Sequence, residues 1–151
     1  RKIKETRPDG SITAWKYLWP DQCEYPHADA VRCVQVSSLG SPTVSSQYDR
    51  RGTNVRVVTQ GFDGETVLRD KQYDALGRPI AETAPYFPYA VKYWSYTEYD
   101  DLDRNTRSTN FGPNNETVAV TQSYQGFETI VTNPQMSAEG IANGILTFLE
   151  K

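Results

Sequence analysis

Short runs of alternating apolar and polar residues, each closed by an Asp- or Gly-containing turn, cover most of the chain. In the clearest run, Val118, Val120 and Tyr124 alternate with Thr117, Ala119, Thr121 and Ser123. A period of two places successive side chains on opposite faces and argues for a half-buried β-strand. A second run, Thr66 to Tyr73, ends at Asp74-Ala75-Leu76-Gly77 and resumes as Arg78-Pro79-Ile80-Ala81-Glu82-Thr83. Asp favours a turn start because its carboxylate accepts from backbone N–H groups two residues on. Gly takes positive φ at the turn exit. The predicted element is a β-hairpin with a short loop.

The same unit recurs. Tyr-Asp dipeptides stand at Tyr48-Asp49, Tyr73-Asp74 and Tyr99-Asp100, steps of 25 and 26 residues, and Tyr124 follows 25 later with Gln125 in place of Asp. Self-similarity at this period marks a repeat architecture, in which each unit's neighbours supply its core. The first copy closes at Gly52 without a following Arg. The third carries Asp103 in place of Gly, followed by Arg104. In the fourth, Gly126 shortens the turn and Phe127 to Thr132 returns. A second kind of turn is read between hairpins, at Gly61-Phe62-Asp63-Gly64-Glu65, at Asn110 to Glu116 and at Pro8-Asp9-Gly10-Ser11. The expectation is an all-β chain, a continuous antiparallel ribbon of four or five hairpins over residues 1–133, with a separate tail at 134–151. Tyr48, Tyr73, Tyr99 and Tyr124 should form a ladder along one edge, each ring on the next and each hydroxyl on a backbone partner.

Two stretches depart from the pattern. Residues 15–42 hold Trp15, Trp19, Cys23, His27 and Cys33, broken by Pro20, Pro26 and Pro42, and read as a hairpin with an elaborated loop. Cys23 and Cys33 fit a disulfide, or two buried thiols, or two ligands of a metal site completed by His27 and Asp21 or Asp29. The spacing matches no standard zinc pattern. From Ser137 on, a helix cap and Ile141, Ile145, Leu146, Phe148 and Leu149 on one helical face predict a short C-terminal helix, weakened by Gly140 and Gly144.

Composition narrows the function classes. Sixteen Lys and Arg against 19 Asp and Glu give a net charge of −3, with no basic footprint for nucleic acid. No apolar run approaches a membrane span. The chain begins at Arg1 and its one Met is Met136, which reads as a segment of a longer protein.

The intact motif Tyr73-Asp74-Ala75-Leu76-Gly77-Arg78 resembles the signature of the Rhs/YD-repeat family. Thr59 to Gly64, Pro85-Tyr86-Phe87 and Tyr93 to Asp100 are similar to that family too. Arg7 to Ser11 with Tyr17-Leu18-Trp19 is similar to the region upstream of the repeats in toxin-complex-type members. The resemblance spans residues 5–133 and implies a strip of hairpins wound into a hollow shell. In bacterial members, of toxin-complex or polymorphic-toxin type, that shell encloses a cytotoxic C-terminal domain. In animal relatives it belongs to cell-surface adhesion proteins. The implied partners are the rest of the shell and its enclosed domain, and the implied setting is secreted or cell-surface and bacterial. The Asp-Pro-x-Gly motif of the family's self-cleaving region is absent, so no catalytic residue carries over.

A structural role is therefore the leading expectation, with Tyr48, Asp49, Gly52, Tyr73, Asp74, Gly77, Arg78, Tyr99, Asp100, Arg104 and Tyr124 as packing and turn residues. No cofactor is expected. The second expectation is a surface that binds carbohydrate or protein through Tyr86, Phe87, Tyr89 and Trp94, weighed against those rings filling the sheet's packed face. Catalysis is not expected. Asp100, Asp101 and Asp103 cluster in a repeat turn, and His27 has no triad partners in view. Open strand edges invite edge-to-edge self-association.

Overall fold

The computed structural model describes residues 1–61, 63–111, 117–133 and, as backbone, 145–149. Among the described residues, twelve strands form one antiparallel sheet in chain order. They are β1 (Lys4–Thr6), β2 (Ile12–Leu18), β3 (Arg32–Ser38), β4 (Ser41–Tyr48), β5 (Asn54–Gln60), β6 (Thr66–Tyr73), β7 (Pro79–Thr83), β8 (Trp94–Tyr99), β9 (Asn105–Phe111), β10 (Thr117–Gln125), β11 (Glu128–Thr132) and β12 (Ile145–Leu149). Each strand pairs with its sequence neighbours, so the chain is the expected ribbon of hairpins.

Two of the expectations change. The helix does not extend over Ile145–Leu149, which pairs with β11 from Thr132↔Ile145 to Glu128↔Leu149. Four of these five residues are apolar, and an adjacent strand offers their backbone a ladder that an isolated Gly-weakened helix would have to outcompete. Residues 137–144 lie outside the described residues. The two kinds of turn are also one at Pro8–Ser11 and Gly61–Glu65, while most of the turn expected at Asn110 to Glu116 lies outside the described residues. Asp49 N–H donates to Thr53 O and Gly52 N–H to Asp49 O. Gly61 N–H likewise donates to Glu65 O and Gly64 N–H to Gly61 O, and Arg7 to Ser11 closes the same way. All are three-residue loops with the last residue left-handed: Gly10, Gly52, Gly64 and Gly77 have φ between +81° and +86°. The turn after Tyr124 is shorter, as expected: Gln125 pairs with Glu128 across two residues.

The sheet's core lies on one face of its middle strands. Cross-strand partners Val58 and Leu68 meet there, with Tyr86 folded over them. Two connections cover this face. One runs from Trp19 to Val31 and holds a 3₁₀ turn at Pro20–Gln22. The other runs from Ala84 to Tyr93, and its Tyr86 exchanges two backbone hydrogen bonds with Leu68 at 2.8 and 2.9 Å. A pair of loops thus replaces the second layer that a sheet normally needs over an apolar face.

Candidate functional site: the repeat edge and the Asp70 cluster

The Tyr-Asp motifs end every second strand, β4, β6 and β8, and Tyr124 sits at the end of β10, so all four lie along one edge. In each full motif the aspartate organises its own turn. Asp74 Oδ1 accepts from Leu76 N–H and Arg78 N–H, both at 2.9 Å, and Oδ2 accepts from Arg78 Nε at 2.6 Å. Asp100 repeats this with Leu102 at 2.9 Å, Arg104 N–H at 3.0 Å and Arg104 Nε at 2.8 Å. Asp49 holds Arg51 N–H and Thr53 N–H in the same way. The backbone N–H of Arg104 and its guanidinium hold the Asp100 carboxyl below the usual carboxylate range, and Arg78 does so for Asp74 against an opposing effect of burial.

The tyrosines join one repeat to the one before it. Tyr73 Oη donates to Asn54 O at 3.0 Å, Tyr99 Oη to Pro79 O at 3.0 Å and Tyr124 Oη to Asn105 O at 2.7 Å. Asn54, Pro79 and Asn105 are the cross-strand partners of Tyr48, Tyr73 and Tyr99. Each hydroxyl therefore bonds the carbonyl opposite the previous Tyr. The rings do not stack on one another as expected. Arginine fills the gap: Arg78 lies 4.9 Å from the Tyr99 ring centre and Arg104 4.2 Å from that of Tyr124, while Arg32 covers Tyr48 at 4.8 Å. A two-strand step of about 10 Å is too wide for ring-on-ring contact and suits an intervening guanidinium. Arg78 Nη1 also reaches Asp100 O at 3.2 Å and Asp103 Oδ1 at 2.7 Å in the next turn, and Arg51 Nη1 reaches Asp74 O at 2.9 Å.

A second constellation lies on the covered face. Asp70 is almost wholly buried, and Arg56, its cross-strand partner, donates Nε to Oδ1 at 2.6 Å and Nη2 to Oδ2 at 2.8 Å. Tyr86 Oη and Lys92 Nζ add bonds to Oδ2 at 2.7 and 2.9 Å. Burial alone would raise the Asp70 pKa. The bonds from Arg56, Lys92 and Tyr86 outweigh it and hold the carboxyl well below the usual range. Arg56 Nη1 also donates to Tyr25 O at 2.9 Å, so this one carboxylate ties both covering loops to the sheet.

Gln47, fully buried, grips the first loop as well. Its Oε1 accepts from His27 N–H at 2.7 Å, and its Nε2 donates to Glu24 O at 3.1 Å and Tyr25 O at 3.2 Å. Tyr25 takes a left-handed φ of +50° there, which turns its carbonyl toward these donors. Cys23 and Cys33 form a disulfide with Cα atoms 6.6 Å apart, which consumes both thiols of the alternative metal site. His27 Nδ1 accepts from Asp29 N–H at 3.2 Å instead.

The expected aromatic surface divides. Tyr86 is core, drawn in by its hydroxyl bond to Asp70 and its backbone pairing with Leu68. Trp94 is half-buried, its ring 6.5 Å from that of Tyr96, and Phe87 and Tyr89 are exposed. Asp100 and Asp103 act within the turns, and among the described residues no cluster of His, Cys, Asp and Glu could hold a metal ion.

Arg56, Asp70, Gln47 and Lys92 were not singled out from sequence. The available signal was a charge in the inward register of β6, two residues after Leu68. It becomes informative only once the pairing with Arg56 is known. No helix among the described residues is long and apolar enough to cross a membrane, which leaves β-barrel spanning unaddressed. No family model, curated protein or solved structure matches the chain.

Proposed function

We propose that this chain is a structural Rhs/YD-repeat module that forms part of the wall of a hollow β-shell enclosing a toxin or effector domain, in a secreted or cell-surface protein. The observation that carries the reading is the interlock at each repeat boundary. A Tyr hydroxyl reaches back to the preceding repeat and an Arg reaches forward to the next, at Tyr73, Tyr99 and Tyr124 and at Arg51, Arg78 and Arg104. Such couplings favour a continuous wall over an array of separate binding units, because stability in a repeat array is carried by neighbour interfaces. The disulfide agrees with an oxidising setting. The use of every motif Asp in its own turn favours enclosure over catalysis.

The test is electron microscopy of the polypeptide in which these repeats continue, combined with proteolysis of its C-terminal domain. A closed, cavity-bearing particle that protects that domain is the expected result. An open strip with a freely digested C-terminal domain would refute the reading.

One observation favours a second reading, a binding or adhesion module for carbohydrate or protein: Phe87 and Tyr89 project from a loop anchored on both flanks by Tyr86 and Lys92. Loss of a glycan-array or pull-down signal in Phe87→Ala/Tyr89→Ala would support it. No signal from the wild-type chain would dismiss it.

A further inference from the structure

The two connections that cover the sheet are each pinned by one buried side chain. Between Trp19 and Val31 that residue is Cys23, 8% exposed, and between Ala84 and Tyr93 it is Tyr86, 6% exposed. The pins differ in chemistry. Tyr86 packs with Val58 and Leu68, pairs its backbone with Leu68 and bonds Asp70 through its hydroxyl. Cys23 is joined covalently to Cys33 of β3, which is fully buried.

The rest of the first connection adds little apolar contact. Trp19 and Tyr25 are exposed, and Glu24 lines a cleft of about 120 Å³ together with the polar Gln35, Thr43, Ser45 and Thr59 of the sheet. Its polar ties run through two sheet side chains, Gln47 to the backbone of Glu24, Tyr25 and His27, and Arg56 to that of Tyr25. At its exit Val31 N–H donates to Tyr48 O. Water replaces such bonds when a segment lifts, so each contributes modestly. The cross-link acts differently, by denying the lifted segment its freedom.

We propose that the first connection is a redox-conditional strap. It is closed over the sheet while Cys23 and Cys33 are joined, and a dithiol reductant releases it with the second connection and the core left in place. The reductant's thiolate attacks Cys23 Sγ, in the less buried residue of the pair. The S–S bond breaks, and Cys33 leaves as a thiolate that takes a proton. The reductant's second thiol then displaces Cys23 from the mixed disulfide. The protein gains two electrons and two protons as two thiols, and the reductant becomes a cyclic disulfide. Release uncovers Gln47 and Cys33 and removes Tyr25 O from Arg56, while the pair of Arg56 with Asp70 stays within the sheet. The strap is shut in an oxidising compartment and lifts in a reducing one, whether or not the sheet encloses a cargo.

Hydrogen exchange tests it on three samples: oxidised protein, protein reduced with dithiothreitol, and a Cys23→Ala/Cys33→Ala variant. Reduction should speed exchange at the His27 amide and its neighbours in the strap by roughly tenfold or more, and reoxidation should restore protection. The Leu68 and Tyr86 amides should keep theirs throughout. The variant should match the reduced protein and ignore the reductant. A disulfide that dithiothreitol leaves intact in the folded protein would overturn the proposal. So would strap amides equally protected in both redox states, or a loss of protection that extends to Leu68 and Tyr86, which would make the disulfide a staple of the whole fold.

Discussion

Arg78 Nη1 and Asp103 Oδ1 meet at 2.7 Å across the boundary between the second and third repeats. Asp103 stands where the other repeats have Gly and holds a left-handed φ of +63°. Its backbone strain is therefore coupled to an ion pair that Gly could not make. Asp103→Gly should be nearly neutral, since relief of strain offsets loss of an exposed pair worth about 0–1 kcal/mol. Asp103→Val keeps the strain and loses the pair, and should cost roughly 1–2 kcal/mol by urea denaturation. Equal losses for the two would mean that the positive φ is unimportant.

Gly77 has φ of +85° and open space where a Cβ would stand. The penalty for a side chain is then conformational, not steric crowding. Gly77→Val should lower stability by roughly 1–2 kcal/mol and Gly77→Asn by less, because Asn tolerates this region. Asp101→Ala, at an exposed turn position, should stay within about 0.5 kcal/mol. The comparison of the three urea midpoints checks the turn assignment.

Tyr99→Phe removes the hydroxyl bond to Pro79 O and leaves the ring beneath Arg78. The expected loss is about 1 kcal/mol. Tyr99→Leu also removes the cation–π contact and should cost roughly 0.5–1 kcal/mol more. Tyr73→Phe should behave alike, and Tyr124→Phe at least as severely, since the Tyr124 hydroxyl also lies 2.9 Å from Gln122 Oε1. A Tyr99→Phe protein as stable as wild type would show that the hydroxyls do not couple the repeats.

Acid should unfold the chain in two stages. His27 has its pKa lowered, by burial first and then by Arg56, so it is neutral in the fold and charges more readily when unfolded. Stability is then full above about pH 6.5 and begins to fall below it. The Asp70, Asp74 and Asp100 carboxyls are depressed in the fold. Their contribution is present above about pH 4 and is lost as pH falls toward their folded values. Chemical denaturation across pH should show a shallow decline, abolished in His27→Gln, and then a steep one. Asp70→Asn should lose roughly 3–5 kcal/mol at neutral pH, because it leaves the largely buried Arg56 guanidinium against an uncharged amide and removes the ion pair to Lys92. A flat profile from pH 7 down to 3 would contradict these assignments.

Local chemistry determined the repeat. The alternation of Thr66 to Tyr73 and the demand of Asp74 and Gly77 for one turn act within a few residues, so the strands and turns were legible before any fold was known. The reach of Arg78 to Asp103 was not, because residues 25 apart in sequence become neighbours only when successive hairpins lie side by side. The same holds for Asp70. Its carboxylate is an ordinary strand charge until register sets it opposite Arg56 and the loop bearing Tyr86 and Lys92 closes over it. Tyr86 shows the difference most plainly: its sequence neighbours Phe87 and Tyr89 face water, while a buried charge cluster and the backbone of Leu68 draw it into the core. Burial is a property of which elements meet, and only the tertiary structure decided that.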